Sequence, residues 1–209
     1  MNSRPHSAGR ASARQSTRRA VLRGLLSIPF ATLTRPSMAQ HVGIGLVDPP
    51  VRLTDTWLTD QNGKRRLLSD LLDRRVTALQ TIYTGCSSVC PLQGALFNAV
   101  QERLPSMNAH YPFQLLSIGI DPLSDTPAAL HEWLTRFQAG PAWTGASPSL
   151  NDVDKMRTAL SGNTLPLGDI SSHSTQIYCF DAKGMLRWRS ADLPRAEEIC
   201  EVLTALERA

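Results

Sequence analysis

Two cysteines stand at the junction of a predicted strand and a predicted helix. Residues 83–91, with the sequence YTGCSSVCP, follow the apolar and β-branched segment Val76–Tyr83 and precede apolar residues at helical spacing. Pro91 suits the first turn of a helix, where its missing N–H leaves no bond unmade. Free N–H groups and the helix dipole stabilise thiolates at such a position. The chain therefore has to fold so that two thiols lie where a strand ends and a helix begins.

The spacing of Cys86 and Cys90 limits what the pair can do. On a nearly helical backbone, residues four apart share one face and their Cα atoms lie about 6 Å apart. That separation fits a disulfide, and it equally fits two thiolates that bind one ion. Two thiolates suit Cu(I) or Zn(II), but structural zinc prefers four protein ligands. Two buried structural cysteines are the third interpretation, which the strand–helix junction disfavours.

The rest of the pattern predicts alternating strands and helices. Asn62-Gly63 between Val51–Leu58 and Lys64–Leu68 indicates a hairpin. Beyond the cysteine-bearing helix, which ends at Pro105, the predicted elements are strand Phe113–Ile120, a helix beginning at Thr126-Pro127, a short helix Asp152–Leu160, strands Thr175–Phe180 and Met185–Arg189, and a last helix from Pro194. A parallel βαβ unit followed by an antiparallel hairpin and a helix is the thioredoxin arrangement. We predict an α/β protein, a thioredoxin-like fold with an N-terminal β-hairpin extension in a single domain.

The N-terminus has the pattern of an export signal. Residues 17–22 resemble the twin-arginine consensus, a weakly hydrophobic stretch follows, and Ser37-Met38-Ala39 offers a small-x-small cleavage site. We predict a twin-arginine-type signal peptide over 1–39, a linker over 40–50 that contains glycines and prolines, and the folded domain over 51–209. The alternatives are an Arg-rich disordered tail and an organelle transit peptide. The apolar stretch is shorter than the ~20 residues of a bilayer span, so we expect a periplasmic protein without a stable membrane span.

The formal net charge of +4 belongs to that leader. Residues 1–39 contain seven arginines and no acidic residue, whereas residues 40–209 contain 15 basic and 18 acidic side chains. The predicted domain is therefore mildly acidic, with no evident site for a polyanion. Nucleic acid is excluded as an expected partner.

A third ligand for an ion has to come from a distant part of the chain. His41 falls in the predicted linker, His110 precedes a Tyr-Pro loop, and His131 lies on a helix face expected to be exposed. His173 directly precedes the third core strand of the predicted fold. In a thioredoxin fold, that loop faces the helix N-terminus that bears the cysteines. His173 is therefore the histidine that we expect to join the two thiols.

Several segments, in order, resemble the Sco/SenC family. The residues that match are YTGCSSVCP at 83–91, GIDPLSDTP at 119–127, Trp143-Thr144-Gly145, and His173-Ser174 before Ile177-Tyr178. The resemblance runs from about residue 50 to residue 206. It implies a copper chaperone that binds one ion, as Cu(I) or Cu(II), through Cys86, Cys90 and His173, and that helps to assemble the dinuclear copper centre of cytochrome c oxidase. Its partner would be a copper-accepting apo-protein, an oxidase subunit.

The chain departs from that family in two places. Ser87 stands where the family commonly has proline, which affects loop rigidity and redox potential. The leader has a cleavage site, whereas many relatives are tethered to a membrane.

Two pairs of residues remain to be assigned. We expect Asp125 to cap the following helix together with Thr126, and Asp121 to shape the turn before it; the alternative is a role for Asp121 behind the copper ligands. Cys179 in a strand and Cys200 on the apolar face of the last helix are expected to be buried. A bridge between them is the alternative.

Three functions compete for the same residues. The first is a metallochaperone that passes copper by ligand exchange. The second is a thiol–disulfide oxidoreductase that reduces the cysteines of a copper apo-protein and is recycled by a periplasmic thiol reductant. The spacing CxxxC, in place of CxxC, and the absence of proline from residues 171–175 favour metal binding. A peroxiredoxin-like peroxidase is disfavoured by the position of Thr84 and by the second cysteine.

Overall fold

One sheet with helices on both faces organises the fold. A computed structural model describes residues 45–162 and 174–208. The strands are β1 Gly45–Arg52, β2 Trp57–Asp60, β3 Arg65–Leu67, β4 Val76–Ile82, β5 Phe113–Gly119, β6 Trp143–Pro148, β7 Ile177–Phe180 and β8 Met185–Arg189. The helices are α1 Leu68–Leu72, α2 Cys90–Gln101, α3 Pro127–Arg136, α4 Val153–Ser161 and α5 Ala196–Glu207, with a 3₁₀ turn at Leu104–Ser106. The predicted signal peptide, 1–39, lies outside the described residues.

The strand directions bring several loops to one edge of the sheet. The strand order is β1-β8-β7-β4-β5-β6-β2-β3. β4, β5 and β6 are parallel neighbours, and the other pairs are antiparallel. The segments that follow β4, β5 and β6 therefore lie side by side, and the segment that precedes β7 reaches the same edge. We call this the carboxyl edge.

The two faces of the sheet hold separate apolar clusters. α2, α3 and α5 cover one face through residues such as Phe97, Trp133 and Ile199. α1 and α4 cover the other face, with Leu71 and Leu160 among the buried residues. β4 is buried at every position because it is central and covered on both sides, which fits its apolar and β-branched residues. Its buried Gln80 amide donates a hydrogen bond to the Ser117 hydroxyl on β5 (2.9 Å). The predicted α/β class and thioredoxin-like fold are confirmed.

The N-terminal hairpin forms where Asn62-Gly63 predicts it. β2 and β3 pair antiparallel, with Trp57 opposite Leu67. Gly63 adopts φ +75°, in the left-handed region that favours glycine. The Asp60 carboxylate accepts hydrogen bonds from the N–H groups of Asn62 (2.9 Å) and Lys64 (3.0 Å) and closes the turn.

The predicted linker over residues 40–50 requires correction. Residues 45–50 belong to β1, which pairs with β8 at the outer edge of the sheet. Its register slips between Leu46 and Val51, around two prolines that have no N–H to donate. Proline is tolerated in edge strands and at such irregularities. Val47 is buried and gives the segment an apolar contact that its Gly/Pro content does not predict.

A core strand and a short helix were missing from the predicted order. β6 is parallel to β5 and its residues are almost entirely buried, yet its sequence, WTGASP, has little β-branched character. Five-residue α1 directly follows β3. At α4, Gly162 has φ +73° and ends the helix as predicted. None of the helices in the described ranges is long and apolar enough to cross a membrane.

Candidate metal centre

Cys86 and Cys90 lie at the carboxyl edge, where β4 ends and α2 begins. The carbonyl of Tyr83 accepts the N–H of Cys86 (3.1 Å), which turns the chain after the strand. α2 then begins at Cys90, with Pro91 in the first turn as predicted. Cys90 is fully buried, whereas Cys86 retains 7% of its surface. The two sulfurs therefore differ in their access to solvent.

Backbone donors make Cys86 the more acidic thiol. Burial alone would raise the pKa of Cys86, but hydrogen bonds from the backbones of Cys90, Ser88 and Val89 and from the Cys90 side chain lower the pKa overall. Donors at the start of a helix stabilise the thiolate in this way.

Cys90 has the opposite shift. Burial raises the pKa of Cys90 to about 12, and a backbone hydrogen bond from Tyr83 opposes the rise only in part. The hydrogen bond to Cys86 and the negative charges of Cys86 and Asp125 raise the pKa further. Near neutral pH the pair is therefore a thiolate-prone Cys86 that accepts a hydrogen bond from a protonated Cys90.

The donor set fits a soft ion. None of the four cysteines forms a disulfide, so Cys86 and Cys90 are a dithiol in this structure. Because the two side chains are hydrogen-bonded to each other, loss of the Cys90 proton leaves two adjacent sulfur donors. Thiolate pairs of this kind select Cu(I) and Zn(II) over hard cations.

Asp125 binds the cysteine loop and does not cap α3. Its Oδ1 accepts the N–H of Thr84 (2.7 Å) and the Thr84 hydroxyl (2.8 Å), and its Oδ2 accepts the N–H of Asp121 (2.8 Å). The capping role falls to Thr126, whose Oγ1 accepts the N–H of Ala129 (3.2 Å). The predicted capping by Thr126 is thus confirmed, and the share assigned to Asp125 is wrong.

The Asp125–Thr84 contact was missed by sequence reasoning. The two residues are 41 positions apart and meet only because β4 and β5 are parallel neighbours. Asp125 is 2% exposed, and burial raises its pKa despite the donors from Thr84 and Asp121. No local pattern distinguishes this carboxylate from an ordinary residue before a helix.

His173 lies outside the described residues. The chain resumes at Ser174, whose carbonyl accepts the Thr81 hydroxyl near the end of β4 (3.4 Å). His41 also lies outside. His131 is exposed on α3, and His110 is exposed and stacks edge-on against Tyr111, with ring centroids 4.7 Å apart. Within residues 45–162 and 174–208, no three His, Cys, Asp or Glu side chains form a group that could hold a metal ion.

The other two cysteines are structural. Cys179 is fully buried in β7, and Cys200 on α5 packs partly buried against the same apolar cluster. Both thiols are free, so the alternative of a bridge between them does not apply to this structure. Burial raises the pKa of each thiol, which disfavours the reactive thiolate form.

The sequence model of the SCO1/SenC family matches residues 54–207, most of the chain. The chain belongs to the SCO1/SenC family. Two related proteins are similar over most of this chain. A Stutzerimonas stutzeri protein whose name describes it as copper-binding is 25% identical over 166 residues, which cover 77% of this chain and 79% of that protein. An SCO2-like protein of Rickettsia conorii is 32% identical over 138 residues, or 62% of this chain and 64% of the relative.

Solved SCO1/SenC structures share the fold. A SCO1/SenC lipoprotein of Bacillus anthracis superposes with a TM-score of 0.66 at 23% identity, covering 77% of this chain and 98% of that one. BsSco, a member of the Sco family of cytochrome c oxidase assembly proteins in which a disulfide switch was identified, gives 0.65 at 18% identity and covers 77% and 95%. Copper-bound ScoI of Arabidopsis thaliana gives 0.62 at 18% identity, with 76% and 99% covered. The predicted family is therefore confirmed.

Proposed function

We propose that this SCO1/SenC protein is an exported, periplasmic copper chaperone that holds one copper ion between Cys86, Cys90 and His173. The observation behind the proposal is the hydrogen-bonded thiol pair with opposite pKa shifts at the start of α2. The names of two similar proteins, the copper-binding Stutzerimonas relative and copper-bound Arabidopsis ScoI, support copper over zinc.

The position of the next residue, Ser174, supports His173 as a ligand. The Ser174 carbonyl accepts the hydroxyl of Thr81, the penultimate residue of β4, so the chain reaches the carboxyl edge one residue after the histidine. An imidazole added to two thiolates gives three soft or borderline donors, which Cu(I) accepts and which also serve Cu(II).

The chain's residues would load and release the ion by exchanging ligands. Cu(I) binds first to the Cys86 thiolate, and the second bond forms when Cys90 releases its proton to water. Delivery reverses these steps, since thiolates of an acceptor replace Cys86 and Cys90 one at a time. We propose that the acceptor is an apo-subunit of cytochrome c oxidase whose dinuclear copper centre is being assembled, because BsSco belongs to a family of oxidase assembly proteins.

Copper stoichiometry in four proteins tests the assignment. Reduced wild-type protein, loaded anaerobically with Cu(I) and freed of excess metal, is expected to retain one copper per chain. Cys86→Ser and Cys90→Ser are expected to retain little, because each removes one of two sulfur ligands. His173→Ala is expected to retain Cu(I) but to lose Cu(II), since two thiolates suffice for the softer ion. His110→Ala is the matched control and should bind as the wild type does.

A second function is favoured by the unequal thiols. In thiol–disulfide exchange, the Cys86 thiolate would attack a disulfide of a copper apo-protein, form a mixed disulfide and release one partner thiolate. Cys90, after losing its proton, would attack the Cys86 sulfur, release the second partner thiol and leave a Cys86–Cys90 disulfide. A periplasmic thiol reductant would restore the dithiol. Failure of the wild type to retain copper, together with rapid reduction of glutathione disulfide, would replace the chaperone with this activity.

A further inference from the structure

The end of β4 is joined to the loop after β5 by one carboxylate. Three hydrogen bonds of 2.7–2.8 Å converge on the two oxygens of Asp125, two from Thr84 and one from Asp121. A carboxylate is the side chain that accepts this many bonds while donating none. Charge-assisted bonds of this kind are the stronger class in proteins.

The fold makes room for the carboxylate. A Cβ placed on Gly119 would lie 2.7 Å from both Cβ and Oδ2 of Asp125. β5 therefore ends in a residue without a side chain at the point where Asp125 turns back toward β4. Helix α3 does not need Asp125 for its first turn, because Thr126 supplies the cap. A buried carboxylate that costs desolvation is thus retained where helix capping does not require it.

Thr84 is placed to transmit the effect of that bond. It lies between Tyr83, whose backbone binds both cysteines, and Cys86. Because the N–H and the hydroxyl of Thr84 are both hydrogen-bonded to Asp125, the backbone that leads from Thr84 to Cys86 is held in place. The N–H groups that stabilise the Cys86 sulfur belong to the loop that begins there.

We propose that Asp125 is a positioning residue for the copper site: through Thr84 it holds the cysteine loop so that the two sulfurs face one ion. The inference rests on the proposed function for its copper consequence, but its effect on the thiols is independent of any metal. Residues that orient metal ligands typically change metal affinity by about 10-fold to 100-fold when they are removed.

Asp125→Asn is the decisive variant, because it keeps the shape and replaces one acceptor oxygen with a donor. The rate of Cys86 alkylation by iodoacetamide is measured against pH in the reduced, metal-free protein. If Asp125 positions the loop, the midpoint rises toward that of an ordinary cysteine, since the N–H donors are misplaced. If the carboxylate acts only through its charge, the midpoint falls or stays, and the proposal is overturned.

Two further variants separate positioning from stability. Thr84→Val removes only the hydroxyl bond and should move the alkylation midpoint in the same direction as Asp125→Asn. Thr84→Ser keeps a hydroxyl and should have the midpoint of the wild type. Thr126→Ala removes the helix cap beside Asp125 and should shift urea unfolding to lower concentrations without moving the alkylation midpoint. Should Asp125→Asn fail to fold, the Thr84 variants decide the question alone, and an unchanged midpoint in Thr84→Val overturns the proposal.

Copper affinity completes the test. Asp125→Asn is expected to bind Cu(I) about 10-fold to 100-fold more weakly than the wild type, measured by competition with a chromophoric chelator. If the wild type itself binds no copper, the proposed function fails, while the alkylation midpoints still decide the role of Asp125.

Discussion

The cysteine pair combines two thiols that have the same chemistry and different surroundings. Cys86 is surrounded by backbone N–H donors that lower its pKa, whereas burial keeps Cys90 protonated. The difference arises from one turn of backbone, because the loop that donates to Cys86 ends at Cys90. The reactive sulfur is therefore selected by position at the helix start and not by residue type.

Stability at alkaline pH should report on Cys90. Its pKa is about 12 in the folded protein and near the ordinary ~8.5 in the unfolded chain, so the folded state binds more protons between these values. The contribution of Cys90 to stability is therefore lost as pH rises above ~8.5, by up to about 1.4 kcal/mol per pH unit. Urea unfolding of reduced Cys90→Ala should show a shallower alkaline loss than the wild type.

Ser87→Ala is the control for that measurement. Ser87 is an exposed neighbour without a titrating group in this range, so its alkaline slope should equal that of the wild type. Equal slopes in Cys90→Ala and the wild type would show that Cys90 titrates normally. The Cys86 shift has the opposite sign, since a lowered pKa adds stability as pH rises toward ~8.5, so the two thiols are distinguishable.

At the scale of elements, α2 packs against Phe137, the residue after α3, at a glycine, Gly94. A Cβ on Gly94 would lie 2.5 Å from two ring atoms of Phe137. Gly94 is buried in α2, one turn after Cys90. The helix that positions the thiols therefore approaches Phe137 as closely as backbone allows.

Gly94→Ala should destabilise the protein although alanine favours helix. Alanine gains about 1 kcal/mol of helix propensity over glycine, whereas overpacking a core costs about 1–3 kcal/mol. Because a whole aromatic ring has to move, we expect a net loss of about 1–2 kcal/mol in urea unfolding. Gly140→Ala is the control, because its Cβ meets only the flexible end of Gln101 at 3.3 Å. A gain in stability for Gly94→Ala would contradict the packing.

The elements also show where sequence patterns are informative. β4, β5 and the start of α2 were predicted to within one residue, because local apolar spacing and Pro91 specify them. The end of α2 was predicted too late, since the helix ends at Gln101 and not at Pro105. β6 was missed since Gly145 and Pro148 interrupt any strand pattern, and pairing with β5 and β2 makes it a strand. Residues 45–50 of β1 were predicted to be a linker because Gly45, Pro49 and Pro50 likewise interrupt the strand pattern. The cysteines could be assigned from their local setting, but the bond between Asp125 and Thr84 depends on tertiary contact.

Over the whole molecule, large exposed apolar side chains lie along one edge of the sheet. In the described ranges they are Leu46, Trp57, Leu92, Leu123 and Leu150. Leu46 and Trp57 lie at the start of antiparallel strands, and the other three lie in the segments after β4, β5 and β6. All five are therefore at the carboxyl edge, which also holds the cysteines. Under the proposed function, an acceptor that takes copper from Cys86 would contact this edge.

Leu123→Asp tests that contact without touching the site. Leu123 is 75% exposed, so folding and copper retention should remain as in the wild type, and transfer to a small chelator should be unchanged. Transfer to the apo-subunit of cytochrome c oxidase that we propose as the acceptor should slow at least several-fold. Asn62→Asp adds the same charge at the opposite edge and should transfer normally. Equal transfer rates for the two variants would separate the apolar edge from delivery.

If the protein delivers copper as proposed, the burial of Cys90 beneath Cys86 sets the order of events. A visiting ligand can approach only from the side of the shallower sulfur, because the deeper one has no surface of its own. The first bond between copper and an acceptor ligand would then form while the Cys90 sulfur still binds the ion. The copper ion would keep at least one protein ligand throughout the transfer, so it would not be released into water.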